Sequence, residues 1–295
     1  MIKIAVVGAG NMGRHHINTL LQLDGVQLVG VVDPSPRSLV PESIPVWPSL
    51  SALFSQIIPD AVCITAPTSL HHELGVQALE QGLDVFIEKP IASTLEQATH
   101  LIQLASQRQR ILQVGHIERF NQAVLTLLQT YHANEWGEAL LIQTHRMSPR
   151  PPQITDASVM IDLAVHDIEV VRAIMQTDPI SRHTMTQASQ DGHVDSGIIS
   201  LQFPHALCTI TVSWNSPIRA RRLQMITTQG LVELDYQTQQ LQFTPHVGTP
   251  HLLSKDIIPP LTAQLTHFME CIRDRKTPYV DGVAGLQALQ WAMGQ

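Results

Sequence analysis

Cysteine is scarce in this 295-residue chain, and its three cysteines, Cys63, Cys208 and Cys271, form no CxxC pair. So sparse and odd-numbered a set is typical of reduced thiols in a cytosol. Residues 1–7 have the pattern of a strand and lack the longer apolar run and cleavage site of a signal peptide. We therefore expect a cytoplasmic protein.

Charge and long apolar runs are also limited. Charged residues make up 15% of the chain against 44% hydrophobic, and the net charge is −7. A nucleic-acid surface needs a basic face for the phosphates, so this class of partner is disfavoured. No apolar stretch reaches transmembrane length, which argues against a membrane protein. The composition favours a well-packed enzyme of two domains that acts on a small molecule.

The order of the apolar segments predicts an α/β fold that changes character near residue 120. Before that point, short apolar strands alternate with helical patterns, which indicates a parallel sheet with helices on both faces. After it, strand-like runs follow one another between residues 196 and 243, which indicates a mostly antiparallel open sheet in an α+β domain. We predict domains at 1–120 and 121–295, and the last helix can pack back on the first domain.

A glycine-rich turn follows the first strand. Gly8-Ala9-Gly10-Asn11-Met12-Gly13 fits GxGxxG, opens a helical pattern, and is followed by Asp33 at the end of the next strand. Gly8 permits the turn, Gly10 lets the backbone approach a pyrophosphate, and Gly13 allows close packing, while the helix N-terminus binds the phosphates. Asp33 accepts hydrogen bonds from ribose hydroxyls and repels a 2′-phosphate. The pattern therefore predicts a Rossmann domain that binds NAD in preference to NADP.

Two groups of polar residues are candidates for catalysis. Glu88-Lys89-Pro90 ends a strand, where a lysine can stabilise charge on a substrate oxygen, although a surface Glu-Lys pair is the alternative. Asp162 and His166 are spaced to share one helical face, with His166 as a candidate general base and Asp162 orienting it. A structural Asp-His network is the alternative there. A metal site is disfavoured because HExxH and cysteine clusters are absent from the sequence.

Together these motifs resemble the Gfo/Idh/MocA oxidoreductase family, whose members oxidise or reduce a ring carbon of sugars and cyclitols with NAD(P). The resemblance implies that Lys89 and His166 form the catalytic pair, that they converge on the nicotinamide, and that Asp162 assists. It also implies that the outer face of the second sheet builds dimers or tetramers. The residues it assigns to the cofactor are Gly8, Gly10, Asn11, Met12, Gly13, Asp33, Ala66, Pro67, Leu70, His71, Glu88 and Lys89.

A narrower resemblance lies in residues 115–121, GHIERFN, and 161–167, IDLAVHD. Both are similar to segments of dehydrogenases that oxidise C3 of UDP-N-acetylglucosamine, whose 3-keto product is later aminated for lipid A. Those enzymes usually have a proline after the asparagine, where this chain has Gln122. The residues expected to bind the nucleotide sugar are His116, Glu118, Arg119, Asn121, Arg146 and Arg150.

The arginines suit a diphosphate because guanidinium binds phosphate oxygens in pairs. We expect Arg146 and Arg150 to flank an irregular loop over residues 148–153, since three prolines remove donors there. Arg219, Arg221 and Arg222 are instead expected to form a solvated strand edge. Two alternatives remain at this point: a cyclitol or free-sugar dehydrogenase, and a non-catalytic NAD(P)-binding regulator, which the presence of Lys89 and His166 disfavours.

Overall fold

The computed structural model describes residues 1–35, 40–151, 158–189, 192–253 and 257–294. The chain forms two compact units. The first contains Met1–His116 and Leu261–Gln287, and the second contains Ile117–Pro260 and Ala288–Gln295. The predicted boundary at residue 120 lies slightly further along the chain, and the predicted second domain includes residues 261–287, which here belong to the first unit.

The elements follow one another in a regular order. The strands are β1 Ile2–Val7, β2 Val26–Val32, β3 Val46–Trp47, β4 Ala61–Ile64, β5 Asp84–Glu88, β6 Leu112–Gly115, β7 Ala139–Pro149, β8 Ser181–Ala188, β9 Val194–Gln202, β10 Leu207–Ser213, β11 Asn215–Thr227, β12 Gly230–Asp235, β13 Gln240–Pro245 and β14 His251–Leu252. The α-helices are α1 Asn11–Leu20, α2 Leu50–Phe54, α3 Thr68–Glu80, α4 Leu95–Gln107, α5 Gln122–His132, α6 Val165–Met175, α7 Pro260–Asp274 and α8 Gly282–Met293.

The first unit contains a six-stranded parallel sheet of order β3-β2-β1-β4-β5-β6. Strands β4 and β5 are buried along their whole length, and helices supply the second layer. The strand order reverses direction between β1 and β4, which is where open α/β sheets place their ligands. The register aligns Val7, Ile64, Ile87 and Val114, so the residues that follow them lie along one edge of the sheet.

The second unit contains an eight-stranded sheet of order β14-β13-β12-β11-β7-β10-β9-β8. Every pair is antiparallel except β7 and β10, which run parallel. Along β10 and β12, buried residues alternate with more exposed ones, because one face packs on a core that includes residues of α5 and α6. The predicted combination of a parallel sheet and a mostly antiparallel sheet is therefore confirmed.

Some local predictions were wrong. Residues 148 and 149 belong to β7 and not to a loop. Pro149 is tolerated because it is the last residue of the strand, opposite Asn215, where a missing N–H interrupts no pairing in the strand interior. Residues 152 and 153 of the predicted irregular loop lie outside the described residues. Strand β8 was missed because most of its residues are exposed, so it lacks an apolar pattern. Among the described residues, no helix is both long and apolar enough to cross a membrane.

Candidate active site

The glycine turn of the first unit, residues 8–13, has the geometry that its sequence predicts. Gly8 has a φ of +98°, and a Cβ added there would lie 2.7 Å from the Ala66 nitrogen. A Cβ on Gly13 would lie 1.9 Å from the Gly8 carbonyl oxygen, so only glycine lets α1 start this close to the turn. Thr65 Oγ1 donates to the same Gly8 oxygen at 2.8 Å and fixes the turn from the next strand.

Gly10 has a different role from its two neighbours. A Cβ on Gly10 would meet no heavy atom of the described residues within 4 Å, so none of them requires a glycine there. Asn11 and Met12, which begin α1, are exposed beside it. The first N–H groups of a helix have no carbonyl partner within the helix and attract phosphate. An open glycine at a helix start therefore fits the pyrophosphate of a dinucleotide.

Asp33 lies at the end of β2 and is half-buried. Its Oδ2 accepts a hydrogen bond from the Ala9 nitrogen at 2.7 Å, and its Oδ1 accepts one from the Ser35 nitrogen at 2.8 Å. The carboxylate thus holds the glycine turn, in addition to its predicted contact with ribose. Each oxygen keeps a further lone pair for a ribose hydroxyl.

The segment after β4, residues 65–71, leads into α3. Pro67 caps the helix, Ala66 is half-buried and Leu70 is 42% exposed, so these three residues border the surface beside the glycine turn. His71 is buried, and its two ring nitrogens lie 2.8 Å and 2.9 Å from the carbonyl oxygens of Pro90 and Ala66. His71 thus connects this segment with the end of β5.

Glu88, Lys89 and Pro90 follow β5, next to β4. The Glu88 carboxylate is buried, with Oε1 2.8 Å from His16 Nε2 and Oε2 accepting from the Lys89 nitrogen at 3.2 Å. The predicted contact of Glu88 with the cofactor stays a prediction. Lys89 is half-buried, and its peptide bond to Pro90 is cis. His116, which follows the neighbouring strand β6, is buried.

The candidate base of the second unit lies where a π-helical turn, Met160–Ala164, continues into α6. Asp162 and His166 are both half-buried, whereas Leu163, Ala164 and Val165 between them are buried. The two polar side chains therefore lie at the more accessible side of this segment, as the spacing predicts. Wide helical turns of this kind often occur at functional sites.

Arg146 is buried at the centre of β7 and not in a loop. Its Nε and Nη2 donate to the Asp167 carboxylate at 2.8 Å and 3.3 Å, and its Nη1 donates to Glu118 Oε1 at 2.8 Å. Burial raises the pKa of Asp167 even though Arg146 opposes the shift. Because Arg146 is 1% exposed and its guanidinium is bonded to two carboxylates, the structure corrects the predicted diphosphate contact of Arg146 to a structural role.

Glu118 and Asn121 are also structural groups within the second unit. Glu118 lies in a 3-10 helix, Ile117–Phe120, and Arg221 Nη1 approaches its Oε1 at 3.6 Å. Arg221 lies on an internal strand, so the predicted solvated edge was wrong for this residue. Asn121 caps α5, with Oδ1 accepting from Ala123, and donates to the Tyr236 carbonyl at 2.9 Å.

Arg119 and Arg150 are more accessible than Arg146. Arg119 Nη1 donates to Glu169 Oε1 at 2.9 Å, and burial raises the pKa of Glu169 to about 7 although Arg119 opposes the shift. The Arg150 side chain is 28% exposed, with Asp195 3.7 Å away and the Trp214 ring beneath its guanidinium. Of the predicted diphosphate ligands, Arg150 therefore has the most suitable surroundings.

Comparison with known proteins agrees with this geometry. Residues 2–116 match the family described as "Oxidoreductase family, NAD-binding Rossmann fold", and residues 124–233 match the "GFO/IDH/MocA C-terminal domain". The chain belongs to the Gfo/Idh/MocA oxidoreductase family. It is accordingly an NAD-dependent dehydrogenase of the sugar and cyclitol class.

Members of the family with named activities match over almost the whole chain. UDP-N-acetylglucosamine 3-dehydrogenase of Acidithiobacillus ferrooxidans is 25% identical, with 99% of this chain and 95% of the relative covered. A solved structure of that enzyme superposes with a TM-score of 0.91 at 25% identity, covering 99% of this chain and 96% of that one. The scyllo-inositol 2-dehydrogenase (NAD(+)) of Bacillus subtilis is 27% identical, covering 96% and 89%.

A further solved structure shares the fold. An oxidoreductase from Agrobacterium radiobacter, solved in complex with NAD+, L-tartaric acid and magnesium, has a TM-score of 0.90 at 17% identity, with 99% of this chain and 94% of that one covered. The open glycine at position 10, the helix start behind it and the Asp33 carboxylate fit NAD in this Gfo/Idh/MocA chain.

Sequence reasoning missed several residues that hold these side chains in place. His16 and Gly115 both lie against the Glu88 carboxylate. His16 Nε2 is 2.8 Å from Glu88 Oε1, and a Cβ on Gly115 would lie 2.9 Å from Glu88 Oε2. Asp167 and Glu169 follow His166 in α6 and bond this helix to Arg146 and Arg119. The sequence did carry a signal for Asp167 and Glu169. Both are carboxylates in an otherwise apolar helix, and buried carboxylates need partners.

Proposed function

We propose that this chain oxidises the C3 hydroxyl of UDP-N-acetylglucosamine with NAD, giving a 3-keto nucleotide sugar that a later step aminates for lipid A synthesis. The observation that carries the proposal is the similarity to UDP-N-acetylglucosamine 3-dehydrogenase over 99% of this chain, in sequence and in fold. The local resemblance of residues 115–121 and 161–167 agrees with it.

The proposed chemistry assigns one role to each polar side chain. His166 accepts the proton of the sugar hydroxyl, while the Lys89 ammonium donates a hydrogen bond to the same oxygen and stabilises its developing charge. NAD, when bound, accepts the hydride from that carbon, so a C–H and an O–H bond are replaced by a carbonyl. Asp162 orients or charge-stabilises the imidazole.

The positions of these residues within their own units support the roles. Lys89 is half-buried at the carboxyl end of β5, along the sheet edge that carries the glycine turn. His166 is half-buried beside a π-helical turn, and Asp167 and Glu169 fix its helix through buried ion pairs. A general base needs both access to the substrate and a fixed orientation.

Binding of the nucleotide sugar is assigned to the remaining accessible groups. We propose that Arg150 contacts the diphosphate, because its side chain is partly exposed and is supported by Trp214. Arg119 and His116 remain proposed ligands of the sugar. The Gfo/Idh/MocA resemblance further supports a homodimer or homotetramer built through the outer face of the second sheet, in a cytoplasmic protein.

The test is formation of NADH, followed at 340 nm, with UDP-N-acetylglucosamine, UDP-glucose, glucose and myo-inositol as parallel substrates. The proposal expects a clear preference for UDP-N-acetylglucosamine. Activity with myo-inositol or glucose in its place would refute the substrate assignment and leave the class intact. No reduction of NAD or NADP by any of the four, with no bound ketone product, would refute the catalytic role.

His166→Ala and Lys89→Met test the assigned roles. We expect His166→Ala to lower kcat by about a hundredfold or more, since general base catalysis contributes that much. His205→Ala, in the exposed turn between β9 and β10, is the matched control and should retain full activity. An unchanged rate in His166→Ala would transfer the role of base to another residue.

A cyclitol dehydrogenase is the second candidate. The scyllo-inositol 2-dehydrogenase similarity, at 27% identity over most of both chains, favours it. A cyclitol carries no diphosphate, so Arg150→Ala distinguishes the two. The variant should raise KM sharply for a nucleotide sugar and leave KM for a cyclitol unchanged.

A further inference from the structure

Two buried histidines lie on either side of Lys89. His16, on α1, is 0% exposed and places Nε2 2.8 Å from Glu88 Oε1. His71, on α3, is 1% exposed and places Nδ1 2.8 Å from the Pro90 carbonyl oxygen. Glu88 and Pro90 are the two chain neighbours of Lys89, so each histidine holds the chain next to this lysine.

Both histidines also belong to the elements that surround the cofactor. His16 lies on the helix that begins at the glycine turn, and its ring packs edge-on against Phe86 at 5.1 Å. His71 Nε2 lies 2.9 Å from the Ala66 carbonyl oxygen, in the segment after β4. The chain around Lys89 is therefore tied to both segments that are expected to contact NAD.

The Glu88 carboxylate has little freedom to leave His16. Its Oε2 accepts a hydrogen bond from the Lys89 nitrogen at 3.2 Å. The carboxylate fits there because Gly115 has no side chain: a Cβ on Gly115 would lie 2.9 Å from Oε2. The carboxylate thus links His16 directly to the backbone of Lys89. Removing the imidazole would leave a buried carboxylate without this partner, a costly arrangement that favours rearrangement of the loop.

His71 faces two acceptors, which limits its substitutes. Burial lowers the pKa of His71, although the Pro90 and Ala66 carbonyls oppose the shift, and a neutral imidazole donates only one hydrogen bond. The proton can bind either carbonyl, depending on the tautomer. Glutamine also carries an N–H donor on a planar group, so His71→Gln can keep one of these bonds, whereas alanine keeps neither.

We propose that His16 and His71 are positioning residues that hold the Lys89 side chain in one orientation by fixing the main chain on both sides of it. The inference rests on the proposed function, in which Lys89 contacts the substrate hydroxyl. It adds two residues that contact neither the hydroxyl nor the reacting carbon. Lys89 lies in the loop after β5, and in this proposal the contacts of His16 with Glu88 and of His71 with Pro90 keep that loop in one conformation.

The first test observes Lys89 directly and does not depend on turnover. The chain has only four lysines, Lys3, Lys89, Lys255 and Lys276, so reductive methylation with ¹³C-formaldehyde gives few NMR signals. Lys89→Arg assigns the Lys89 signal by its loss. We expect His16→Ala and His71→Ala to move or broaden that signal and to leave the other three in place.

His72→Ala is the matched control. His72 is the next residue on α3, but it is more exposed and pairs with His100 on α4 at 2.8 Å, away from the Lys89 loop. This variant should leave the Lys89 signal at its wild-type position. A Lys89 signal unchanged in both His16→Ala and His71→Ala would overturn the inference, whatever the activity of the enzyme.

Kinetics separate positioning from a merely structural role. We expect kcat of both alanine variants to fall by about ten- to a hundredfold, since small displacements of a reacting group cost that much. NADH affinity should fall in His71→Ala, which loses the Ala66 contact, but not in His16→Ala. His71→Gln should recover part of kcat. Lower melting temperature with wild-type kcat would show stability alone and refute the inference.

The outcomes also separate this inference from the proposed function. If no sugar or cyclitol is oxidised but the Lys89 signal moves, the function fails and the positioning role stands. If UDP-N-acetylglucosamine is oxidised but both alanine variants keep wild-type kcat and an unmoved signal, the function stands and the inference fails. Should His71→Ala not fold, His71→Gln and His16→Ala carry the test.

Discussion

The two units hold their candidate catalytic residues by different means. In the first, main-chain geometry dominates: Gly8 has a positive φ, Gly13 packs on a carbonyl, and His71 contacts two backbone oxygens. In the second, buried charges dominate, with Arg146 paired to Glu118 and Asp167 in the interior. The packing at Gly8 and Gly13 involves no titratable group, whereas buried ion pairs respond to both pH and substitution; the first unit also has such a pair of its own, His16 with Glu88.

The difference shows how each unit can fail. At Gly8 and Gly13 the turn has no room for an added side chain, and these two positions carry no charge that must be neutralised. A buried ion network is costly once one member is lost, because the others remain in an apolar interior. Substitutions in the second unit should therefore cause the larger losses of stability, and four predictions test this comparison.

The largest effect is expected from Arg146→Ala. The substitution leaves Glu118 and Asp167 buried without their main cation; of the residues that the structure describes, Arg221 still lies 3.6 Å from Glu118. We expect the free energy of unfolding to fall by about 3–5 kcal/mol, as for other broken buried pairs. Urea titration followed by circular dichroism measures it.

Arg222→Ala supplies the matched control on the same strand as Arg221. Its side chain is 70% exposed and lies 3.5 Å from Asp235, so we expect a change of at most about 1 kcal/mol. Equal losses in Arg146→Ala and Arg222→Ala would show that burial does not set the difference. The comparison between the two units would then lose its physical basis.

The next effect is a pH dependence that involves Glu169. Its pKa is raised to about 7 by burial, so the folded state binds a proton that the unfolded state releases near pH 4.5. The contribution of Glu169 to the free energy of unfolding is therefore fully present below pH 4.5, and it is lost as the pH rises through about 7. The upper bound for this loss is about 3 kcal/mol.

Glu169→Gln imitates the protonated carboxyl and should remove this dependence. The unfolding free energy of the wild type, relative to the variant, should therefore decline between pH 4.5 and 8 in parallel urea titrations. Glu73→Gln removes one negative charge from an exposed position and measures the effect of net charge alone. Parallel curves for wild type and Glu169→Gln would contradict the prediction.

The same contrast explains what the sequence could predict. The glycine turn, Asp33 and the Glu-Lys-Pro segment were found because each residue type answers a local backbone or ligand requirement, which its spacing reveals. The parallel pairing of the first sheet follows from strand-helix alternation in the same way. Local patterns are sufficient where local geometry builds the site.

The ion network of the second unit could not be predicted in this way. Arg146, Glu118 and Asp167 are far apart in the sequence, and their contact depends on how β7 and α6 pack. An arginine beside prolines therefore suggested an exposed phosphate ligand, although alternation along β7 placed it in the interior. Strand β8 was missed for a related reason, since exposed polar residues carry no period.

The glycine turn offers a sharper comparison within the first unit. Gly13→Ala places a Cβ 1.9 Å from the Gly8 carbonyl oxygen, so we expect a loss of about 1–3 kcal/mol in stability together with weaker NADH binding. Gly10→Ala adds a Cβ that meets no atom within 4 Å in the part of the chain that the structure describes, and it should weaken NADH binding with unchanged stability. Thermal melts and NADH fluorescence titrations measure both quantities, and Gly10→Ala with wild-type NADH affinity would refute the pyrophosphate assignment.

The smallest effect concerns Gln122, which stands where the resemblance led us to expect a proline. Its N–H donates to Gln239 Oε1 at 3.0 Å, a bond that proline cannot make. Proline is otherwise well suited to the first position of α5, because that N–H has no partner within the helix. We expect Gln122→Pro to cost at most about 1 kcal/mol in unfolding free energy, the worth of one hydrogen bond. In a Gln239→Ala background, which already lacks this bond, Gln122→Pro should be neutral or stabilising. If Gln122→Pro instead lowers the unfolding free energy equally in both backgrounds, the backbone geometry excludes proline and the Gln239 bond is irrelevant.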